Sequence, residues 1–403
     1  MIALAIALGI YLAVCLLYWL WSAYAMFRMG HSVAYLDRVS PPAPPHWPRL
    51  SVVVAACNEG DKIGPAARSL LASDYDDLEV VLVDDRSTDD TGAVIDALAA
   101  EDPRVRALHI GELPAGWLGK VHALHQGIQH CTGQFVLFTD ADVHFQPPLL
   151  RRAVAYCLAG DLDHLTALPS LWPAGLLLDA QVAETIRQLV VVIRMWRVSD
   201  PASRAFMGVG AFNMIRRSAF DATEGFPWLR MEVADDAGLG LMMKRSGARC
   251  ELVNAFGLAA LHWYRTFGEI IHGSQRTFAT ASNLSLGNAL TFAGLVLALD
   301  LSPLLAPLGA LAFARLHPPG WANWAFGVAA LAVPAAYVAC ELLSHRWSRQ
   351  RLLPGLLSAA MAPFGAWMVL RAAVLGRRRG GIVWRGTLYP TEALRAGKRI
   401  RLP

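Results

Sequence analysis

No charged residue interrupts the chain from Met1 to Phe27, and Arg28, His31 and Arg38 follow soon after. That run constrains the fold more than any other feature, because about twenty consecutive apolar residues suffice to span the hydrocarbon core of a bilayer. A cleavable signal peptide opens with a basic segment and closes on a small-residue cleavage site. Neither is evident, so 1–27 reads as an uncleaved transmembrane anchor. The basic residues behind it put the next stretch in the cytoplasm. Composition agrees: the 403 residues are only 17% charged, where a soluble domain carries about 25%.

Leu290 to Phe313, Trp321 to Leu343 and Leu356 to Leu375 are also long enough to span. Together they set a counting problem. Three crossings after a cytoplasmic domain would leave the tail outside, yet Arg377, Arg378, Arg379, Arg395, Lys398, Arg399 and Arg401 argue that it is inside. One segment is therefore not a simple span. Leu290 to Phe313 is the candidate, with Asp300, Pro303 and Pro307 in its middle. A charge at that depth is costly unless it faces protein or a cavity, so a re-entrant or broken helix is expected. The net charge of +4 is spent flanking apolar segments and marks no nucleic-acid binder. The six cysteines are scattered without paired spacing, which excludes a structural zinc site and a disulfide framework and leaves free thiols.

Between the anchor and these segments the pattern changes. Pro41, Pro42, Pro44, Pro45 and Pro48 make a stiff linker. Strands at Ser51–Ala56, Leu78–Val83, Val105–Ile110 and Phe135–Thr139 then alternate with helices at Ile63–Ala72, Ala93–Ala100 and Lys120–His130. Such alternation with short connections implies an α/β fold with a mainly parallel sheet. Ligands of open α/β sheets bind at the carboxyl ends of the strands, and here those ends carry acids. The second strand runs out into Asp84-Asp-Arg-Ser-Thr-Asp-Asp-Thr91, whose Ser87, Thr88 or Asp89 can cap the next helix. The fourth runs out into Asp140-Ala-Asp142. In an extended segment residues two apart point the same way, so Asp140 and Asp142 could face one divalent cation. Lys120 sits at a helix start between these acids, which the sequence places on two neighbouring strands. With no glycine-rich phosphate loop nearby, this combination suggests a nucleotide diphosphate held through a metal.

Ser51-Val-Val-Val-Ala-Ala-Cys-Asn-Glu59, Val83-Asp-Asp-Arg-Ser-Thr-Asp-Asp-Thr91, Gly116-Trp-Leu-Gly-Lys120, Thr139-Asp-Ala-Asp142 and Met231-Glu-Val-Ala-Asp-Asp236 resemble, in order, the motifs of glycosyltransferase family 2, the inverting enzymes of the GT-A fold. The ending Gly380-Gly-Ile-Val-Trp-Arg-Gly-Thr-Leu-Tyr389 is similar to that of membrane-bound members that glycosylate hopanoids, carotenoids and ceramides. The resemblance implies donor-binding roles for Asn58, Glu59, Asp84, Asp85, Lys120 and Asp140, with Asp85 on the nucleoside. It implies Mg²⁺ or Mn²⁺ on Asp142 and Asp140, and a catalytic base at Asp236 or its neighbour Asp235. The partners implied are a nucleotide-sugar donor (a UDP-sugar first), a lipid acceptor and the bilayer. The Gln/Arg-x-x-Arg-Trp motif of processive synthases is missing; its nearest counterpart is Gln275-Arg-Thr-Phe278. Transfer of a single sugar is the expectation, with a processive polysaccharide synthase and a non-catalytic nucleotide-binding scaffold as rivals.

The expected organisation is a transmembrane anchor (1–27), a Pro-rich linker (28–49) and a cytoplasmic GT-A catalytic domain (50–270). C-terminal transmembrane or re-entrant segments (288–376) and a basic cytoplasmic tail (377–403) complete a multi-pass protein of the inner (plasma) membrane. Within the catalytic stretch, 172–198 is apolar but carries Glu184, Arg187, Arg194 and Arg197. It reads equally as an interfacial helix and as a helix packed on the sheet. The glycines of Phe206-Met-Gly-Val-Gly-Ala-Phe-Asn213 permit close backbone approach.

Overall fold

The computed structural model describes residues 2–283, 285–316 and 320–400; Arg401 of the basic tail lies outside them. The chain divides into two compact units: 33–172, 195–263 and 383–403 form one, and 1–32, 173–194 and 264–382 form the other.

The first unit is built on a sheet of eight strands. In chain order they are β1 (Ala34–Tyr35), β2 (Leu50–Ala56), β3 (Leu78–Asp85), β4 (Val105–Ile110), β5 (Phe135–Asp140), β6 (His164–Leu168), β7 (Asn213–Arg216) and β8 (Cys250–Asn254). Their spatial order is β1-β8-β6-β7-β5-β2-β3-β4. All pairings are parallel except those of β7, which runs antiparallel to both β5 and β6. All eight residues of β3 are buried, as expected of a parallel strand covered on both faces. From Val80 its run is apolar until the last two positions, and those are Asp84 and Asp85.

Register fixes what lies at the carboxyl edge. Ala55 of β2 pairs with Asp140 and Ala56 with Asp84, so the acids of β3 and β5 stand at one level. They are not on neighbouring strands, because β2 lies between them. The early strands and helices fall within a few residues of their sequence positions. β1, β6, β7 and β8 carry no comparable strand–helix rhythm in sequence.

The second unit is helical. Three helices, Ala5–Ser32, Asn323–Ser348 and Leu352–Arg379, are long and apolar enough to cross a membrane. Leu286–Asp300 and Ser302–Arg315 meet at 64°, as a broken span or a re-entrant loop does. The break falls beside Asp300, which is 1% exposed and faces protein. Arg187 donates to Asp300 at 2.9 Å and to the Tyr18 hydroxyl at 2.7 Å, and its Nε lies 3.5 Å from Glu341. Its guanidinium sits 4.6 Å over the Trp19 ring, and Gln188 donates to the other Asp300 oxygen at 2.9 Å. The helix Leu176–Ile193 therefore turns Glu184 and Arg187, both buried, into this unit rather than to water. It ends at Arg194, whose φ of 56° is left-handed.

The first helix and Trp321–Ser348 run in the same direction. Gly9 faces Phe326, Trp19 meets Tyr337 with ring centroids 4.8 Å apart, and Trp347 donates to the Met26 sulfur at 3.2 Å. After Arg351 the chain turns back to the depth of Tyr337, whose hydroxyl donates to the Gly355 carbonyl at 2.8 Å. The helix Ala362–Arg379 then returns antiparallel to Leu286–Asp300, with Ala366 beside Ala293 and Val296, and Ala373 beside Ala289.

Candidate active site

The loops after β2 and β3 are stitched together. Asn58, held at a left-handed φ of 56°, accepts from Thr88 N at 2.8 Å, and its own N–H donates to Ser87 Oγ at 3.0 Å. Glu59 N donates to Thr91 Oγ1 at 2.8 Å, and Gly60 N to Asp89 at 3.1 Å. Only Asp89 also holds the start of its own helix, accepting from Thr91 N at 3.0 Å. Ser87 and Thr88 instead fix the Asn58 turn, because the two loops lie side by side at the end of a parallel pair.

Asp84 accepts from Ser87 N at 3.1 Å and lies 3.2 Å from His109 Nδ1. Asp85 is buried and forked by Arg86, whose Nε and Nη2 donate at 2.7 and 3.1 Å. Gly119 passes so close that a Cβ there would stand 2.3 Å from Asp85 Oδ2. Only glycine allows the next residue, Lys120, to enter the cleft.

Lys120 joins two elements far apart in sequence. Its Nζ is 2.7 Å from Asp140 of β5 and 3.3 Å from Asp235 at the start of the helix Asp235–Arg245. Burial pulls its ammonium down. Asp140, Asp235 and Asp236 outweigh that and hold it well above the usual lysine range. Among the described residues Asp236 has no such ion pair. Its oxygens accept from Gly210 N at 3.0 Å and Ala237 N at 2.7 Å. Burial, then Asp235, push its carboxyl up to about 6 against the pull of Lys120. Gly210 also ties this acid to β5: Asp140 N donates to its carbonyl at 3.0 Å, and a Cβ on Gly210 would stand 2.5 Å from Asp140 Oδ2. Lys120, Asp140, Gly210, Asn213, Asp235 and Asp236 line one open cleft of about 270 Å³.

β5 closes at Asp140, and Ala141-Asp142 is a turn, so strand alternation does not bring the two acids together. They are nonetheless coupled. Burial, then the charges of Asp140 and Glu59, push Asp142 up to about 6, with Lys62 opposing. Negative charge is crowded here beyond what the local cations offset, a setting that suits a divalent cation. Among the described residues no group of three or more His, Cys, Asp or Glu could hold a metal unaided. A site of one or two carboxylates completed by substrate phosphates is what Mg²⁺ commonly uses.

The sequence reading missed the tail. Arg385 donates to the Cys57 carbonyl and to Glu59, Gly119 N donates to the Tyr389 hydroxyl at 3.3 Å, and Glu232 accepts from Ile400 N at 3.0 Å. An Arg-Gly pair between two short apolar runs is the available signal: Arg385 and Gly386 take φ of 49° and 78°, as a two-residue hairpin turn requires.

Replacing Lys120 by Met leaves Asp140, Asp235 and Asp236 without their cation. K120M should lose on the order of 2 kcal/mol at pH 8, below the roughly 3–5 kcal/mol of a fully buried pair because the Asp140 side chain is 37% exposed. The loss should shrink at pH 5, since carboxyls with raised values in the folded state destabilise it only once deprotonated. Thermal melts at the two pH values test this, and equal losses would refute it.

The family described as glycosyl transferase family 2 matches residues 51–223. A β-monoglucosyldiacylglycerol synthase from Synechocystis sp. is 28% identical over 249 residues, 56% of this chain and 49% of that protein. A 4,4′-diaponeurosporenoate glycosyltransferase from Staphylococcus aureus is 31% identical over 96 residues, 24% of each chain. The aligned part of the chain thus spans about half or less of the length of these curated relatives. A mannosyltransferase from Pyrobaculum calidifontis, solved with GDP-Man and Mn²⁺, aligns over 93% of this chain and 98% of its own with a TM-score of 0.53 and 19% identity, a likeness of fold. The matched residues hold the sheet edge and the acids of β3 and β5, and on that ground the chain carries a glycosyltransferase family 2 domain of the GT-A fold.

Proposed function

We propose that this protein transfers a single sugar from a nucleoside diphosphate sugar to a hydroxyl or carboxyl of a membrane lipid, with inversion at the anomeric carbon. The observation that carries this is the single cleft in which Lys120 ties Asp140 to Asp235 and leaves Asp236 without an ion-pair partner. The donor lies across the carboxyl edge, with its nucleoside beside Asp85 and its diphosphate near Asp140, Asp142 and Lys120. Asn58, Glu59 and Asp84 shape the loops beneath it. Asp142 and Asp140 would hold Mg²⁺ or Mn²⁺, which would supply charge neutralisation for the departing diphosphate. Asp236 takes the proton of the acceptor as its oxygen attacks. The new C–O bond forms on the face opposite the diphosphate, whose bond breaks.

Asp235 is committed to Lys120 at 3.3 Å, which occupies the oxygen that an acceptor hydroxyl would need. Asp236, near 6, is matched to work at neutral pH. A UDP-sugar is the first donor to test. The lipid acceptor is supported by the apolar unit and by relatives named as a monoglucosyldiacylglycerol synthase and a diaponeurosporenoate glycosyltransferase.

The same reading sets a topology. The first helix and Trp321–Ser348 are parallel, so Arg28 and the basic stretch Arg346, Arg349 and Arg351 share a side, the cytoplasmic one. One crossing must then connect the catalytic domain to the start of the second of these helices, and the bent pair 286–315 supplies it. The segment 352–379 enters and returns, which keeps the tail with the catalytic domain that it contacts through Arg385, Tyr389 and Ile400. The broken segment is thus the crossing, and the re-entrant one lies after it.

Two measurements test these proposals. In detergent with lipid, kcat/KM for sugar transfer should rise about tenfold per pH unit up to about 6 and then level, as a single base requires. D236N should lose about 10²–10⁴-fold in turnover while binding donor normally. Unchanged turnover in D236N would refute the base. In a cysteine-free background, single cysteines at Gln350 and Glu392 should react with an impermeant maleimide only after cells are opened, and one at Asn323 beforehand. Labelling of Gln350→Cys in intact cells would overturn the topology.

A further inference from the structure

The donor cleft has a border that the domain match does not include. Residues 383–400 lie along it. The Arg385-Gly386 turn sits at the end of β2, where the Arg385 guanidinium donates to the Cys57 carbonyl and to Glu59 Oε1. Four residues on, Tyr389 accepts from the N–H of Gly119, the glycine packed against Asp85. Farther along, Arg399 N and Ile400 N donate to Glu232 at 2.6 and 3.0 Å, and Arg399 Nε donates to the Trp228 carbonyl at 2.8 Å. The segment is fixed at several points, so the position of Arg385 is built rather than incidental.

Arg385 is the most exposed of the cations paired there. Glu59 is shared by two cations: Oε2 lies 2.8 Å from Lys62 and Oε1 meets Arg385. The other cations bordering the nucleotide edge are engaged one acid or more apiece, Arg86 with Asp85 and Lys120 with Asp140 and Asp235. The Arg385 side chain is 40% exposed while Glu59 is 13% exposed. A guanidinium has five N–H donors in a planar fork that suits phosphate oxygens. Two of Arg385's donors fix its orientation and the others remain for a ligand.

We propose that Arg385 is a ligand of the donor's diphosphate, so that the C-terminal segment completes the donor site. The inference rests on the nucleoside diphosphate sugar reading above. Glu59 is then a positioning residue, holding the guanidinium at the end of β2.

The test compares binding of UDP and UMP, and of GDP and GMP, to the full-length protein in detergent with Mn²⁺, by isothermal titration. Losing a charge-assisted contact to the second phosphate should weaken diphosphate binding by about tenfold or more. In R385Q the preference for diphosphate over monophosphate should shrink accordingly, with monophosphate binding unchanged. R385K should fall between the two, since it keeps the charge and loses the fork. If R385Q does not fold, R385K carries the test alone, with a several-fold loss confined to the diphosphates. An unchanged preference in a folded variant overturns the inference, as does an equal loss for both nucleotide forms, which would assign Arg385 to holding the tail. If the wild-type protein binds no nucleoside diphosphate, the donor reading itself fails.

Discussion

One buried cation among acids organises the cleft. Lys120 is the charged link between β5, which ends in Asp140, and the helix that opens with Asp235 and Asp236. Like charges about 4 Å apart cost on the order of 4 kcal/mol each at an effective dielectric near 20, so three carboxylates could not gather there unaided. The lysine also separates the roles of two adjacent acids. It neutralises Asp235 and leaves Asp236 to the backbone amides of Gly210 and Ala237. Two residues of one charge type, side by side in sequence, thereby acquire different partners, one an ammonium and the other backbone amides. That separation is the physical basis for assigning the base.

A second buried cation, Arg187, shows by contrast what makes such a group available for chemistry. Arg187 and Asp300 are 1% and 2% exposed in their side chains, sealed among Tyr18, Trp19 and Gln188. Removing one member of a pair like this leaves an uncompensated charge in an apolar surrounding, so the arrangement works as a clamp. Lys120 is 22% exposed and Asp140 37%. Their pairing is open on the cleft side and can be rearranged by an incoming charged ligand at moderate cost.

Much of the catalytic half was legible in the sequence because local rules govern it. β2, β3 and β5 are short apolar runs ending in polar turns, and their acids fall at the sheet edge where parallel topology puts ligands. The legible part stops where position depends on partners far along the chain. That Asp235 meets Lys120, that β2 separates β3 from β5, and that β7 runs antiparallel follow from packing, with no periodic trace. Asp142 is instructive. Strand alternation would have paired it with Asp140, but the strand ends two residues before it, and burial and charge couple the two acids instead. The tail is legible as a basic segment and as a family-like ending, but not in its contacts, because the two-residue turn at Arg385 meets Cys57 to Glu59, over three hundred residues away.

The inserted helix Leu176–Ile193 also has a physical explanation. It interrupts the catalytic sequence between β6 and β7 and clusters with the apolar helices. The bend at Leu301 falls beside Asp300, and a carboxylate left unpaired in so apolar a surrounding is costly. Glu341, on another long apolar helix, raises the same difficulty. Both find their cation in Arg187, and Gln188 of the same helix takes the remaining oxygen of Asp300. The insertion therefore supplies the polar partners that the broken span and its neighbour lack. Arg187 of this helix is thus the cation that the buried acids of the apolar helices share.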